Sequence, residues 1–257
     1  MPHSPHFVFG YPQTGAGDSP PSLLAPLPLA LFFHPPHYIT QQEMASSLTK
    51  ALDPKRTLLL ICDVQTKFRE ATYGFSDMCS AIRKMTKAAT ILEMPVMATE
   101  QNPKALGETV PDVGLAEVPS ELLLGAHPKT KFSMCISPVQ EAIKDKNIDA
   151  AIIVGIESHI CVLQTTLDLL ASDLRVFVLA DAVSSVHKQE IPVALEVMRQ
   201  AGAVVTTSES IVFRLMRDAS DPKFKPFVKL IKEEKDAGNT KRALETFLGG
   251  AAEQGKL

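Results

Sequence analysis

Cys161 is the residue best placed to act as a nucleophile. The segment Val154-Gly-Ile-Glu-Ser-His-Ile-Cys-Val162 passes from an apolar run through a tight turn into a helical pattern. A cysteine in the first helical turn meets free amide N–H groups and the positive end of the helix dipole, and both favour a thiolate. The same N–H groups can hold a developing oxyanion. Covalent catalysis also needs a base and a charge partner. Asp63 closes the apolar run Thr57-Leu-Leu-Leu-Ile-Cys-Asp63 and is the candidate base. Lys131, near another short apolar stretch, is the candidate cation that offsets thiolate charge and keeps the carboxylate ionised. Taken singly, each residue has an ordinary role. An acid can cap a loop, a lysine can be solvated, and a thiol can be a small core residue.

The elements that must position these groups follow from periodicity. Thr57–Cys62, Ala150–Val154 and Arg175–Leu179 are continuous apolar runs, the pattern of parallel strands buried on both faces. Pro95–Ala98 and Ala203–Val205 read as further strands, and Leu122–Leu124 and Lys131–Ser133 as weaker ones. Between them lie helical patterns: Met78, Ile82, Met85, Ala89 and Leu92 after Ser76; Pro138 to Lys146; Ile160, Leu163, Leu167 and Leu170; Ile191, Leu195 and Met198; Ser208 to Met216; and about Lys223 to Glu234. Strand and helix alternation predicts an α/β fold with a parallel sheet covered on both faces. Ligands bind such sheets at the carboxyl ends of the strands, where Asp63 and the Gly155–Cys161 turn would meet. Residues 100–119 are rich in Pro and Gly and read as a long functional loop.

The chain has 257 residues, a net charge of −3 and 45% hydrophobic residues, enough for one sizeable core. Its four cysteines, Cys62, Cys79, Cys135 and Cys161, show no CxxC and no zinc-ligand spacing. They read as reduced thiols of an intracellular, cytoplasmic protein. Residues 1–50 hold nine of the nineteen prolines, four of the seven histidines and no Lys or Arg before Lys50, so they read as a disordered extension. Ser22–Phe33 is too short and too proline-rich for a membrane span. His34 and His37 read as loop residues, and Met44 as an alternative start. Residues 51–235 form the domain, and residues 236–257 a flexible tail. There is no GxGxxG after the first strand and no P-loop, which disfavours dinucleotide and nucleoside-triphosphate enzymes.

Three segments together resemble the isochorismatase-like cysteine hydrolase superfamily, in particular its isochorismatase-domain-containing proteins. They are Leu-Leu-Leu-Ile-Cys-Asp63-Val-Gln-Thr-Lys-Phe68, Lys129-Thr-Lys131-Phe-Ser and Val-Gly-Ile-Glu157-Ser-His-Ile-Cys161-Val-Leu-Gln-Thr. The resemblance spans about Pro54 to Lys232. It implies a three-layer α-β-α fold around a six-stranded, mostly parallel, Rossmann-like sheet. It also implies an Asp–Lys–Cys triad, matched here by Asp63, Lys131 and Cys161. A cis Ile156–Glu157 peptide and an oxyanion hole from the N–H groups of Glu157 and Cys161 are implied as well. The expected reaction is hydrolysis of an amide or carbamoyl-type C–N bond of a small molecule through a thioester.

Metal-dependent members carry Asp-x-His and a second His after the second strand. Here that region reads Thr99-Glu-Gln-Asn-Pro103, so neither metal nor other cofactor is expected. Phe68, Gln101, Lys104 and His159 are the expected pocket residues. The resemblance further implies a homo-oligomer. It leaves as alternatives a mitochondrion-associated ribonuclease-like member and a non-catalytic interaction protein. The absence of Trp and of any dense basic run speaks against nucleic acid as partner, and no membrane partner is expected.

Overall fold

The computed structural model describes residues 49–249. Up to residue 48 the expected extension lies outside the described residues, as do His34, His37 and Met44. Six strands form one sheet: β1 (Thr57–Cys62), β2 (Val96–Gln101), β3 (Leu123–Lys129), β4 (Ala150–Gly155), β5 (Arg175–Val183) and β6 (Val204–Thr206). The order is β3-β2-β1-β4-β5-β6 and every neighbouring pair is parallel. The helices are α1 (Phe75–Leu92), α2 (Pro103–Leu106), α3 (Ser137–Asp145), α4 (Leu163–Leu170), α5 (Glu190–Gln200), α6 (Ser208–Met216), α7 (Phe224–Asp236) and α8 (Asn239–Leu248). Among the described residues no helix is long and apolar enough to cross a membrane.

The period-2 geometry of a strand sorts β1 between two cores. Leu59 and Ile61 join α1, α6, α7 and α8 on one face. Leu58, Leu60 and Cys62 join α3, α4 and α5 on the other. Both faces are buried, which is why β1 reads as an unbroken apolar run.

Two sequence expectations are corrected. Leu122–Leu124 and Lys131–Ser133 are not separate strands. One edge strand, β3, runs from Leu123 to Lys129, and the chain leaves the sheet before Lys131. Gly125 and Pro128 interrupt its pattern, and an edge strand tolerates both. The tail expected to fray after Asp236 is instead helical as far as Leu248. Ala243 is fully buried, Phe247 packs edge-to-face on Tyr73, and Thr246 Oγ1 donates to Asp77 of α1. Its apolar stripe is only a few residues wide, which hid the helix.

Candidate active site

Asp63 follows the last residue of β1 and takes a left-handed conformation, φ 51°. Its amide donates to the Thr99 carbonyl, so the carboxyl end of β2 anchors it. The carboxylate is 2% exposed. Thr99 Oγ1 donates to Oδ1 at 2.8 Å. Oδ2 lies 2.7 Å from Lys129 Nζ, a charge contact off the direction of a hydrogen bond.

Lys129 therefore occupies the place expected of Lys131. It is the last residue of β3, opposite Gln101 of β2, and its side chain is fully buried. Nζ donates to Gln101 Oε1 at 2.7 Å, to the Lys131 and Phe132 carbonyls at 3.0 and 2.9 Å, and reaches Cys161 Sγ at 3.7 Å. Lys131 is exposed on the loop beyond, and only its carbonyl touches the cluster. The physical reason is the length of β3. The strand ends at residue 129, so that residue points into the site.

Behind Lys129 stands a glutamine pair. Gln65 is fully buried; its Nε2 donates to the Gln101 and Gly107 carbonyls, and its Oε1 accepts from the Gln101 amide. Gln101 Nε2 donates to the Thr130 carbonyl. Both ends of the Gln101 side chain are thus engaged, and it positions Lys129. Sequence reasoning missed Gln65, whose only signal is a glutamine two residues beyond the strand-end acid.

Cys161 lies on a π-helical turn, Ser158–Val162, that leads into α4. The turn starts beyond Gly155, whose φ is 108°. A Cβ there would stand 2.2 Å from the Cys62 carbonyl oxygen, so only glycine lets β4 end this close to β1. The Ile156–Glu157 peptide is cis, as expected. The thiol, Asp63 and Cys62 present their reactive atoms within 4.8 Å of one another.

Two thiols and a carboxylate at that spacing could in principle ligate a metal. The Lys129 ammonium, however, already supplies a positive charge beside two of the three donors. Burial works against that ammonium, but Cys62, Asp63 and Cys161 outweigh it and raise its pKa above the ordinary lysine value. It is charged at neutral pH.

The remaining expected residues stand further out. Phe68 is half-buried and packs on the core that contains α1. His159 Nδ1 is 3.0 Å from Ser185 Oγ and 3.8 Å from Glu157 Oε2, a separate polar group beside the turn. Glu157 Oε2 accepts from the Val186 amide. Lys104 lines a cavity of about 640 Å³ with Lys129 and Lys131, and among the described residues no acidic one lines it.

Burial pushes the Cys62 thiol well above its ordinary value, and that of Cys79 up to about 12. The unfolded chain releases these protons near pH 8.5 while the folded one keeps them, so stability must fall as pH rises beyond that point. Lys129, raised as well, acts with the same sign once the pH passes the ordinary lysine value. Burial lowers Lys84, which acts with the opposite sign below about pH 10.4 and offsets part of the loss. Burial raises Cys135 too, so the expected result is a urea-unfolding free energy that declines above about pH 8.5, at up to about 1.4 kcal/mol per pH unit for each of the three thiols. A flat profile from pH about 7.5 to 10.5 would contradict it.

Residues 57–210 match the isochorismatase domain family. The chain is 41% identical over 187 residues to isochorismatase family protein 1A of Dictyostelium discoideum, covering 72% of this chain and 90% of that protein. It is 42% identical over 182 residues to human isochorismatase domain-containing protein 2, covering 70% and 85%. Among solved structures, MAR1 ribonuclease from Caenorhabditis elegans superposes with a TM-score of 0.67 at 41% identity, covering 71% of this chain and 93% of that one.

Proposed function

Because the chain belongs to the isochorismatase domain family and carries its hydrolase fold, we propose that it is a metal-independent cysteine hydrolase of amide or carbamoyl-type C–N bonds in a small molecule. One observation carries this reading. The buried Lys129 ammonium touches both the Asp63 carboxylate and the Cys161 sulfur. A thiol between a base and a fixed cation is built for acyl transfer.

In this mechanism Asp63 Oδ2, which has no directed hydrogen bond, takes the Cys161 proton. The thiolate attacks the carbonyl carbon. The N–H groups of Glu157 and Cys161 receive the oxyanion. Collapse expels the amine with the proton held by Asp63. Water, deprotonated by Asp63, then cleaves the thioester and returns the thiol. Lys129 balances negative charge at each stage, and Thr99, Gln101 and Gln65 hold it and Asp63 in place.

Thiol labelling tests the proposal, with Cys135 as internal control. Cys161 and Cys135 are 8% and 9% exposed, so access is matched. Burial pushes Cys135 up, whereas Cys161 faces Lys129. Iodoacetamide at neutral pH is expected to modify Cys161 at least about tenfold faster than Cys135, with turnover of a small amide lost in step. Equal labelling, or turnover that survives Cys161 alkylation, would overturn the reading.

A second reading rests on the 41% identical MAR1 ribonuclease and the lysine-lined cavity beside Lys129. Cleavage of RNA by wild type but not by Cys161→Ala would favour it.

A further inference from the structure

The mechanism above makes no use of Cys62, yet its sulfur lies within 4.8 Å of both Cys161 Sγ and an Asp63 oxygen. We propose that Cys62 is a resolving cysteine, which captures oxidised Cys161 as a reversible Cys62–Cys161 disulfide when the protein meets a hydroperoxide.

Three observations place the two thiols in these roles. The first is access. Cys161 keeps 8% of its surface exposed, whereas Cys62 in the central strand β1 has none, so peroxide meets Cys161 first. The second is charge. The Lys129 ammonium lies 3.7 Å from Cys161 Sγ, where it offsets the thiolate that peroxide oxidises. Cys62 is held as a neutral thiol by burial. The third is the sheet face. Cys62 and Cys161 belong to the same core, whereas Cys79 belongs to the opposite one. Closing the pair to the S–S length of about 2.05 Å requires the sulfurs to approach by less than about 3 Å. One staggered rotation about Cys161 χ1 moves its sulfur by about that much.

The chemistry balances with a hydroperoxide as oxidant. Asp63 takes the Cys161 proton and the thiolate attacks the terminal peroxide oxygen; the S–O bond forms, the O–O bond breaks, and the leaving alkoxide or hydroxide takes that proton from Asp63 to depart as an alcohol or water. Sulfur has then given up two electrons as a sulfenic acid. Asp63 accepts the Cys62 proton, and the Cys62 sulfur attacks the sulfenic sulfur. The S–S bond forms, the S–O bond breaks, and the hydroxide leaves as water with the proton from Asp63. The net result is loss of two hydrogens from two thiols. Without Cys62 the sulfenic acid meets a second peroxide and becomes sulfinic acid, which thiol reductants do not reverse.

The proposal rests on the nucleophilic setting of Cys161 assigned above, but its test reads no turnover, so the two can fail separately. Full-length protein is treated with about one equivalent of hydrogen peroxide, blocked with N-ethylmaleimide in acid and mapped by mass spectrometry. The expected result is a cross-linked peptide pair containing Cys62 and Cys161, free thiols falling from four to two, and full recovery with dithiothreitol. In Cys62→Ala given at least about three equivalents of hydrogen peroxide, the dithiothreitol-recoverable fraction of Cys161 should fall to under about a tenth, with sulfinic acid in its place, whereas wild type given the same dose still recovers. Cys62→Ser serves if the alanine variant does not fold. Sulfinic acid at Cys161 beside a free Cys62 in wild type, or a cross-link to Cys79 or Cys135, would overturn the proposal.

Discussion

A Cys161→Ala variant is expected to fold normally and to hydrolyse the wild-type substrate about 10⁴-fold or more slowly in kcat/KM. The magnitude is that of removing a nucleophile from a site whose groups act as a unit. No nearby group can substitute. Cys62 is the only other thiol close to Asp63 and Lys129, and it is fully buried. The stability cost is that of removing one sulfur atom from a nearly buried position, about 1 kcal/mol. The measurement is a screen of small amides and carbamoyl compounds against wild type, then both proteins on each hit, with thermal melts alongside. Full activity in the variant would remove the covalent mechanism.

The second large effect separates two lysines that lie two positions apart. Lys129→Met should cost about 3–5 kcal/mol, because it leaves the buried Asp63 carboxylate with no cation. For a domain of this size that is a fall of roughly 10 °C in Tm. Activity should fall with it, since neither the base nor the thiolate keeps its charge partner. Lys131→Met removes an exposed side chain and should change stability by no more than about 0.5 kcal/mol. Pairing Lys129→Met with Asp63→Asn should recover part of the lost stability but none of the activity, because the stranded charge is gone and so is the base. Chemical denaturation and initial rates on the four proteins decide it. If Lys131→Met were the damaging change, the assignment of Lys129 would fall.

That contrast also marks where the sequence was readable. β1, β4 and β5 are buried on both faces, so each reads as an apolar run, and Asp63 after β1 and Gly155 at the end of β4 lead into the candidate site. Asp63 and Cys161 were legible for that reason, and the cis Ile156–Glu157 peptide through family resemblance. β3 was not. As an edge strand it carries Gly125, His127 and Pro128, so its end could not be counted from its pattern. Lys129 is that end and Lys131 lies two residues beyond it, and it was Lys131 that the family resemblance matched. α8 was missed because only Ala243 of it is fully buried, although it packs on α1, β5 and α7. Cys62 read correctly as a core residue. Its closeness to Cys161 depends on which sheet face each side chain takes and on how far β4 runs past it, which only the fold reveals.

The strand order has a further consequence for durability. Asp63 and Cys161 follow the two central strands, β1 and β4, whereas Lys129 ends an outermost strand. Proteins open piecewise, and outer elements come away at lower free energy than the centre. The working lifetime of this cluster is therefore that of its weakest supporting strand. A detached β3 carries off the cation while the rest of the sheet stays paired. The Gln101 side chain, whose backbone is held by Gln65, bonds the Lys129 ammonium and the Thr130 carbonyl and so ties the end of that strand to β2.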